Sequence, residues 1–141
     1  QGENKVDVIY IDNAVSAHLK ACDALSVGNP LAGKVYFVSD GEPVKLWDWI
    51  DDLLKKTGRP PVSRSISYSA ASKLGHLLEG IYSFCRIKQE PPMTRFMASQ
   101  LATSHYFNIS RAKNDFGYEP VVSSEEGMKR LIQSLSVPQE Y

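Results

Sequence analysis

Val35-Tyr36-Phe37-Val38 constrains this chain more than any other stretch. It is a short, unbroken run of β-branched and aromatic residues between turn signals, the pattern of a strand covered on both faces. Such a strand needs neighbours, and the chain offers few. Val6, Val8, Tyr10 and Ile11 form a short, mostly alternating pattern, Arg64 to Tyr68 a possible extended segment, and Tyr106 to Ile109 a brief one. Strands so short and so far apart do not close a sheet by themselves. The first methionine is Met93, and the chain opens on Gln1-Gly2-Glu3-Asn4-Lys5. The expectation is an incomplete α/β sheet in a helix-rich, carboxyl-terminal part of a larger protein.

Five or six helices account for the rest. Asp12 and Asn13 can each accept a bond from the free amides of a new helix. Val15, Leu19 and Cys22 then lie on one stripe, with Ala14, His18, Ala21 and Leu25 beside it, so this helix is expected to be broadly buried up to Gly28-Asn29-Pro30. Leu46, Trp47, Ile50, Leu53 and Leu54 repeat at helical spacing until Gly58 and the stop at Pro60-Pro61. The clearest period belongs to Leu74, Leu77, Leu78, Ile81, Tyr82 and Cys85, a face expected to pack into a core. Phe96, Met97 and Leu101 mark a shorter helix, Asn108 is placed to cap a small one ending at Gly117, and Ser123 with Glu126 has capping-box spacing.

A chain of 141 residues fits one domain, able to bury about 70% of its unfolded surface. Hydrophobic residues at 43% and charged residues at 23% argue against disorder. Sixteen basic residues balance sixteen acidic ones, and no basic stripe interrupts that balance, so nucleic acid is excluded as a partner. Cys22 and Cys85 fall among apolar residues and read as buried free thiols, favouring a reducing, cytoplasmic location. No run reaches the roughly 18 apolar residues that span a bilayer; membrane association in other forms stays open.

Two motifs fail on context. Gly28-Asn29-Pro30-Leu31-Ala32-Gly33-Lys34 has phosphate-loop spacing, but Val35 stands where Ser or Thr would reach magnesium, and the loop leads into a strand instead of a helix. His18, His76 and His105 share no metal-ligand spacing with one another or with the cysteines. His18 reads as a satisfied core residue, His76 belongs to a polar face, and His105 lies in a loop able to meet a ligand. Asn108-Ile109-Ser110 matches a glycosylation sequon, which helix capping explains more simply.

Three blocks, colinear across the chain, resemble the extended short-chain dehydrogenase/reductase superfamily. Val8-Ile9-Tyr10-Ile11-Asp12-Asn13-Ala14-Val15 is similar to its strand-to-helix block, and Gly33 to Val44 to its last parallel strand and turn. Tyr106-Phe107-Asn108-Ile109-Ser110-Arg111-Ala112-Lys113 with Phe116-Gly117-Tyr118-Glu119-Pro120 looks like its third. Asp12-Asn13 before Ala17-His18, Leu46-Trp47 after Glu42-Pro43, and the apolar helix from Ala70 to Arg86 resemble the 3β-hydroxysteroid dehydrogenase and sterol-4-carboxylate 3-dehydrogenase branch. Lys45, where the superfamily often has Ser or Thr, and Asn108, where it has Asp, depart from the pattern.

The resemblance implies a Rossmann half elsewhere in the protein, binding NAD or NADP through a glycine-rich turn and carrying a Tyr-x-x-x-Lys pair. Four residues after Tyr10, Tyr36, Tyr68, Tyr82, Tyr106 and Tyr118 stand Ala14, Asp40, Ser72, Arg86, Ser110 and Val122, never a lysine. Without that lysine no tyrosine is primed to take a hydroxyl proton as hydride leaves. No catalytic residue and no cofactor is therefore expected on this chain, whose residues 1–141 would form one substrate-binding portion, with elements of residues 1–45 packing on the Rossmann half. The implied activity is oxidation of a secondary alcohol on a sterol-like or other bulky apolar substrate, with Arg95, His105 and Tyr106 as candidate substrate contacts. A nucleotide-sugar epimerase or dehydratase would need cations for a diphosphate, and Arg64 and Arg95 are sparse candidates. An autonomous helical module docking through the Leu74–Cys85 face is the alternative outside enzymes.

Overall fold

The computed structural model describes residues 2–25 and 30–136. Six helices and a two-stranded sheet follow one another among these residues, a helix-rich α/β architecture with an open sheet. β1 (Lys5–Val6) pairs antiparallel with β2 (Val44–Lys45), Val6 opposite Val44, and Val6 also bridges in parallel to His105. The strand expected over residues 6–11 is thus shorter and begins earlier. Ile11 already belongs to helix α1 (Ile11–Ala24).

α1 is not capped as expected. Its N-cap is Tyr10, and Asn13 is a fully buried helix residue whose side chain points across the fold. Asn13 Nδ2 donates to Asp40 Oδ1 at 2.7 Å and to the Val122 carbonyl at 2.8 Å, while its Oδ1 accepts from the Val121 and Val122 amides. Asp40 supplies the cap instead, both carboxylate oxygens accepting from the Tyr10 amide. Buried polar groups persist only when their bonding capacity is met, and Asn13 meets all of its own. Ala17 is the other buried residue of α1; Val15, Leu19 and Cys22 face outward, and exposed His18 bonds the Ala14 carbonyl through Nδ1. The stripe is exposed here because only the side carrying Asn13 and Ala17 meets the rest of the described chain. The expected burial of His18 and Cys22 is corrected accordingly. The helix stop at Gly28-Asn29 lies outside the described residues.

Val35 to Val38 is in no strand. Tyr36 and Val38 turn inward against the core of Ala17, Ile109, Ala112 and Tyr118, while Val35 is 77% and Phe37 52% exposed. One face is covered where two were expected. Tyr118 anchors this core: it is fully buried, and its hydroxyl donates to the Ser39 carbonyl at 2.8 Å. Burial and the nearby Asp40 carboxylate push its phenol pKa up. Tyr36 packs edge-on against Phe116, and Phe37 stacks on Phe107 with ring centroids 4.0 Å apart.

α2 (Leu46–Lys56) leaves β2 directly and ends at Thr57, before left-handed Gly58. α3 (Tyr68–Phe84) and α4 (Arg95–Ala102) form a hairpin, each N-cap hydroxyl accepting an amide three residues on: Ser67 from Ala70, Thr94 from Met97. The face of α3 that packs is Ala71 and Gly75, not the large apolar stripe. Leu74, Leu77 and Ile81 are substantially exposed, and Cys85 is exposed too, correcting its expected burial. The reason is steric. A methyl group at Gly75 would lie 2.7 Å from the Arg95 nitrogen and from the Thr94 carbonyl carbon, so the helices meet as closely as backbones allow only along the small-residue side.

α5 (Ser110–Phe116) stops at Gly117 in the left-handed conformation, as expected. Ile109 is its N-cap; Asn108 stands one residue earlier and accepts the Ser110 amide at 2.8 Å. α6 (Ser124–Ser136) starts where its capping pattern places it, with Ser123 Oγ accepting the Glu126 amide at 3.3 Å. The Glu126 carboxylate turns outward to Arg130, which also pairs with Asp12 and lies 5.9 Å from the Tyr10 ring centroid.

Candidate functional site

An apolar cleft of about 510 Å³ opens where α2, α3, α4 and the segment 62–68 converge. Trp47 and Asp51 come from α2, Ala71 from the packed side of α3, and Ala98 and Leu101 from α4. Val62 and Ile66 close it from the connecting segment, Tyr68 from the start of α3, and Met93 from the turn of the hairpin. The volume and predominantly apolar walls suit a ligand of drug size or a folded hydrocarbon chain. The local causes are visible. Pro60-Pro61 denies the chain helix after α2, and the Val62 amide is then tied back to Asp51 Oδ1 at 2.9 Å, holding residues 62–66 over the α2 face. Gly75 brings α4 against α3, which sets Ala98 and Leu101 at the floor.

The cleft's polar residues are few: Asp51, Ser63, Arg64, Ser65 and Tyr68. Arg64 has no ion pair or hydrogen bond among the described residues. The sequence pointed to Arg64 only as a sparse cation and to none of the rest, because the walls come from stretches scattered between Gly2 and Ala102.

Arg95, His105 and Tyr106 do not line this cleft. Arg95 opens α4 with its backbone amide and its Nε both bound to the Glu79 carboxylate, at 2.8 and 2.7 Å. These bonds, the amide first, hold the Glu79 pKa below the usual carboxylate range. His105 lies in the bridge to Val6, its Nδ1 3.1 Å from the Thr103 carbonyl oxygen, and Tyr106 is 55% exposed just beyond it. No hydrogen bond joins the three.

Among the described residues no group of three His, Cys, Asp or Glu side chains could hold a metal ion, and no helix is long and apolar enough to cross a membrane. The phosphate-loop pattern stays empty of its chemistry in the part that is described. Lys34 binds Asp115 at 3.0 Å, and residues 34–39 enter no helix. A hydrogen bond from the Tyr36 hydroxyl, and after it the bond from Lys34, lower the Asp115 pKa.

Residues 1–67 match the model of the 3-beta hydroxysteroid dehydrogenase/isomerase family. The match takes in just under half of the chain. A 2-alkyl-3-oxoalkanoate reductase of Stenotrophomonas maltophilia is 46% identical over 133 residues, 94% of this chain and 40% of the relative. A protein of the same name from Shewanella oneidensis is 48% identical over 131 residues, 92% of this chain and 34% of its own length. A 3beta-hydroxysteroid-dehydrogenase/decarboxylase isoform of Arabidopsis thaliana is 34% identical over 141 residues, covering 96% of this chain and 32% of the relative. The chain therefore spans about two fifths or less of the curated relatives it matches, and these relatives are oxidoreductases. No solved structure matches.

Proposed function

We propose that this chain forms the substrate-side wall of an NAD(P)-dependent oxidoreductase that interconverts a ketone and a secondary alcohol on a bulky apolar molecule. The remainder of the protein would bring the nicotinamide, which supplies or takes the hydride, together with the tyrosine and lysine that move the proton. The observation that carries this reading is the cleft of about 510 Å³ walled by Trp47, Ile66, Met93 and Leu101. Apolar walls lower the free energy of a hydrocarbon by roughly 25 cal/mol for each Å² removed from water, so this side of the site binds while the other reacts. The two reductases exceed the steroid dehydrogenase in identity, 46% and 48% against 34%. A branched 3-oxoalkanoate is accordingly placed ahead of a sterol as substrate. The outward faces of Ile11, Val15 and Leu19 on α1, with Val35 and Phe37, are the surface proposed to pack on the cofactor-binding half.

The test is made in the full-length protein, following nicotinamide absorbance with a 2-alkyl-3-oxo acid and with a sterol ketone. Trp47→Ala and Leu101→Ala should raise KM for the better substrate while leaving the Kd for the dinucleotide unchanged. Turnover of neither class discards the proposal. Alanine at Arg95, His105 and Tyr106 decides whether those residues also reach substrate; unchanged kcat/KM in all three removes them.

A further inference from the structure

We infer that Arg64 is the specificity-determining residue of the cleft, receiving a carboxylate of the substrate while the apolar walls hold its hydrocarbon. This rests on the reading of the cleft as a substrate site and adds the chemical feature that selects what enters it. Arg64 is the one cationic residue on the wall, with Ser63 and Ser65 beside it in the chain and also lining the cleft. Other cations nearby are already engaged: Arg95 by Glu79, and Lys56 by Asp52 at 2.7 Å. No carboxylate pairs with Arg64 among the described residues. Asp51, the one acid on the wall, does not pair with it, and its Oδ1 instead accepts the Val62 amide two residues before Arg64. That bond anchors the backbone that presents the guanidinium.

A planar fork of donors matches a carboxylate, which it can hold by two parallel bonds. An uncharged ketone offers a single oxygen and no charge, so it cannot make that paired, charge-assisted contact. A diphosphate carries more charge than a single arginine opposite an aspartate offsets, so a nucleotide-sugar headgroup fits the wall poorly. The names of the relatives bear on the same point. The bacterial enzymes are named for an alkanoate, and a further relative, from Mus musculus and 30% identical over 135 residues, is named a sterol-4-alpha-carboxylate 3-dehydrogenase. Their hydrocarbon frameworks differ; the carboxylate is common to both names.

Two measurements on the full-length protein test this. The first compares oxidation of a 2-alkyl-3-hydroxyalkanoate with that of its methyl ester, which keeps the hydrocarbon and removes the charge. The native protein should prefer the acid at least about tenfold in kcat/KM, through KM, the scale of a charge-assisted bond. Arg64→Gln should abolish the preference by raising KM for the acid alone, and Arg64→Lys should restore part of it. The second follows quenching of tryptophan fluorescence, to which Trp47 of the cleft contributes, by a saturated 2-alkyl fatty acid, whose affinity should fall about tenfold in Arg64→Gln at unchanged thermal stability. Retention of the acid preference in Arg64→Gln overturns the assignment, as does equal binding of fatty acid and methyl ester by the native protein. Turnover of neither alcohol, with fatty-acid binding still lost in Arg64→Gln, would sink the proposed oxidoreductase activity and uphold the role of Arg64.

Discussion

Adding one methyl group at two positions of α3 should move stability in opposite directions. Gly75 and Gly80 both lie inside the helix, so replacing either with Ala gains about 0.8–1 kcal/mol of helix propensity. At Gly80 nothing lies within 4 Å of the new methyl, so that gain is the whole effect. At Gly75 the methyl would sit 2.7 Å from two backbone atoms of α4 and 3.0 Å from a third, the Thr94 carbonyl oxygen. Backbone does not rotate away as a side chain does, so α4 must retreat, at the roughly 1–3 kcal/mol that overpacking costs. The retreat also stretches the amide bond from Arg95 to Glu79, which starts at 2.8 Å. Gly75→Ala is thus expected to lose up to about 2 kcal/mol net and Gly80→Ala to gain about 1 kcal/mol, the difference between a clash and open space. Urea unfolding resolves this, provided the m-value stays constant. Both variants shifting the midpoint in the same direction would refute the steric account of the hairpin. The cleft gives a second readout, because Ala98 and Leu101 move with α4: Gly75→Ala should weaken substrate binding and Gly80→Ala should not.

Asn13→Ala should destabilise the protein by about 3 kcal/mol or more, since it strands the Val121 and Val122 amides and the Val122 carbonyl without partners; thermal unfolding close to that of the native protein would show that water replaces the amide. The depressed Glu79 pKa implies that its bonds to Arg95 stabilise the fold above the unfolded-state value of about 4.3 and are lost as pH falls through the lower folded value. Glu79→Gln should therefore flatten that part of the acid unfolding profile, and an unaltered profile would remove Glu79 as a contributor. Ser123→Ala should cost about 0.5–1 kcal/mol, the low end for a cap, because its bond to Glu126 is long at 3.3 Å and exposed; no loss in melting temperature would place the start of α6 elsewhere.

Features set by neighbours in sequence could be read from the sequence. The stop at Gly117, the cap at Ser123 and the end of α2 at Gly58 each depend on a few adjacent residues, and each stands where local chemistry puts it. The failures share a different cause. Leu74, Leu77 and Ile81 were expected in a core by size and spacing, yet closest approach is decided by what is absent at Ala71 and Gly75. Asn13 had the chemistry of a cap, but its partners lie 27 and 109 residues away, beyond any local rule. The cleft was illegible for the same reason: Trp47, Arg64, Ala71 and Leu101 share no period or motif and meet only once four segments have folded.

The bond from Asn13 to Asp40 also carries a rule of inheritance. Asn13 offers its amide hydrogens to a carboxylate and its oxygen to two amides, so the two positions hold a donor and an acceptor that face each other at 2.7 Å. An aspartate at position 13 opposite an unchanged Asp40 would place two negative charges in a site with no solvent, a substitution the fold resists. Exchange of both, Asp at 13 with Asn at 40, keeps one charge and restores that one bond, but leaves the Val122 carbonyl facing a carboxylate with no donor. A change at either position therefore has to answer to the other, and at position 13 to the Val122 carbonyl as well.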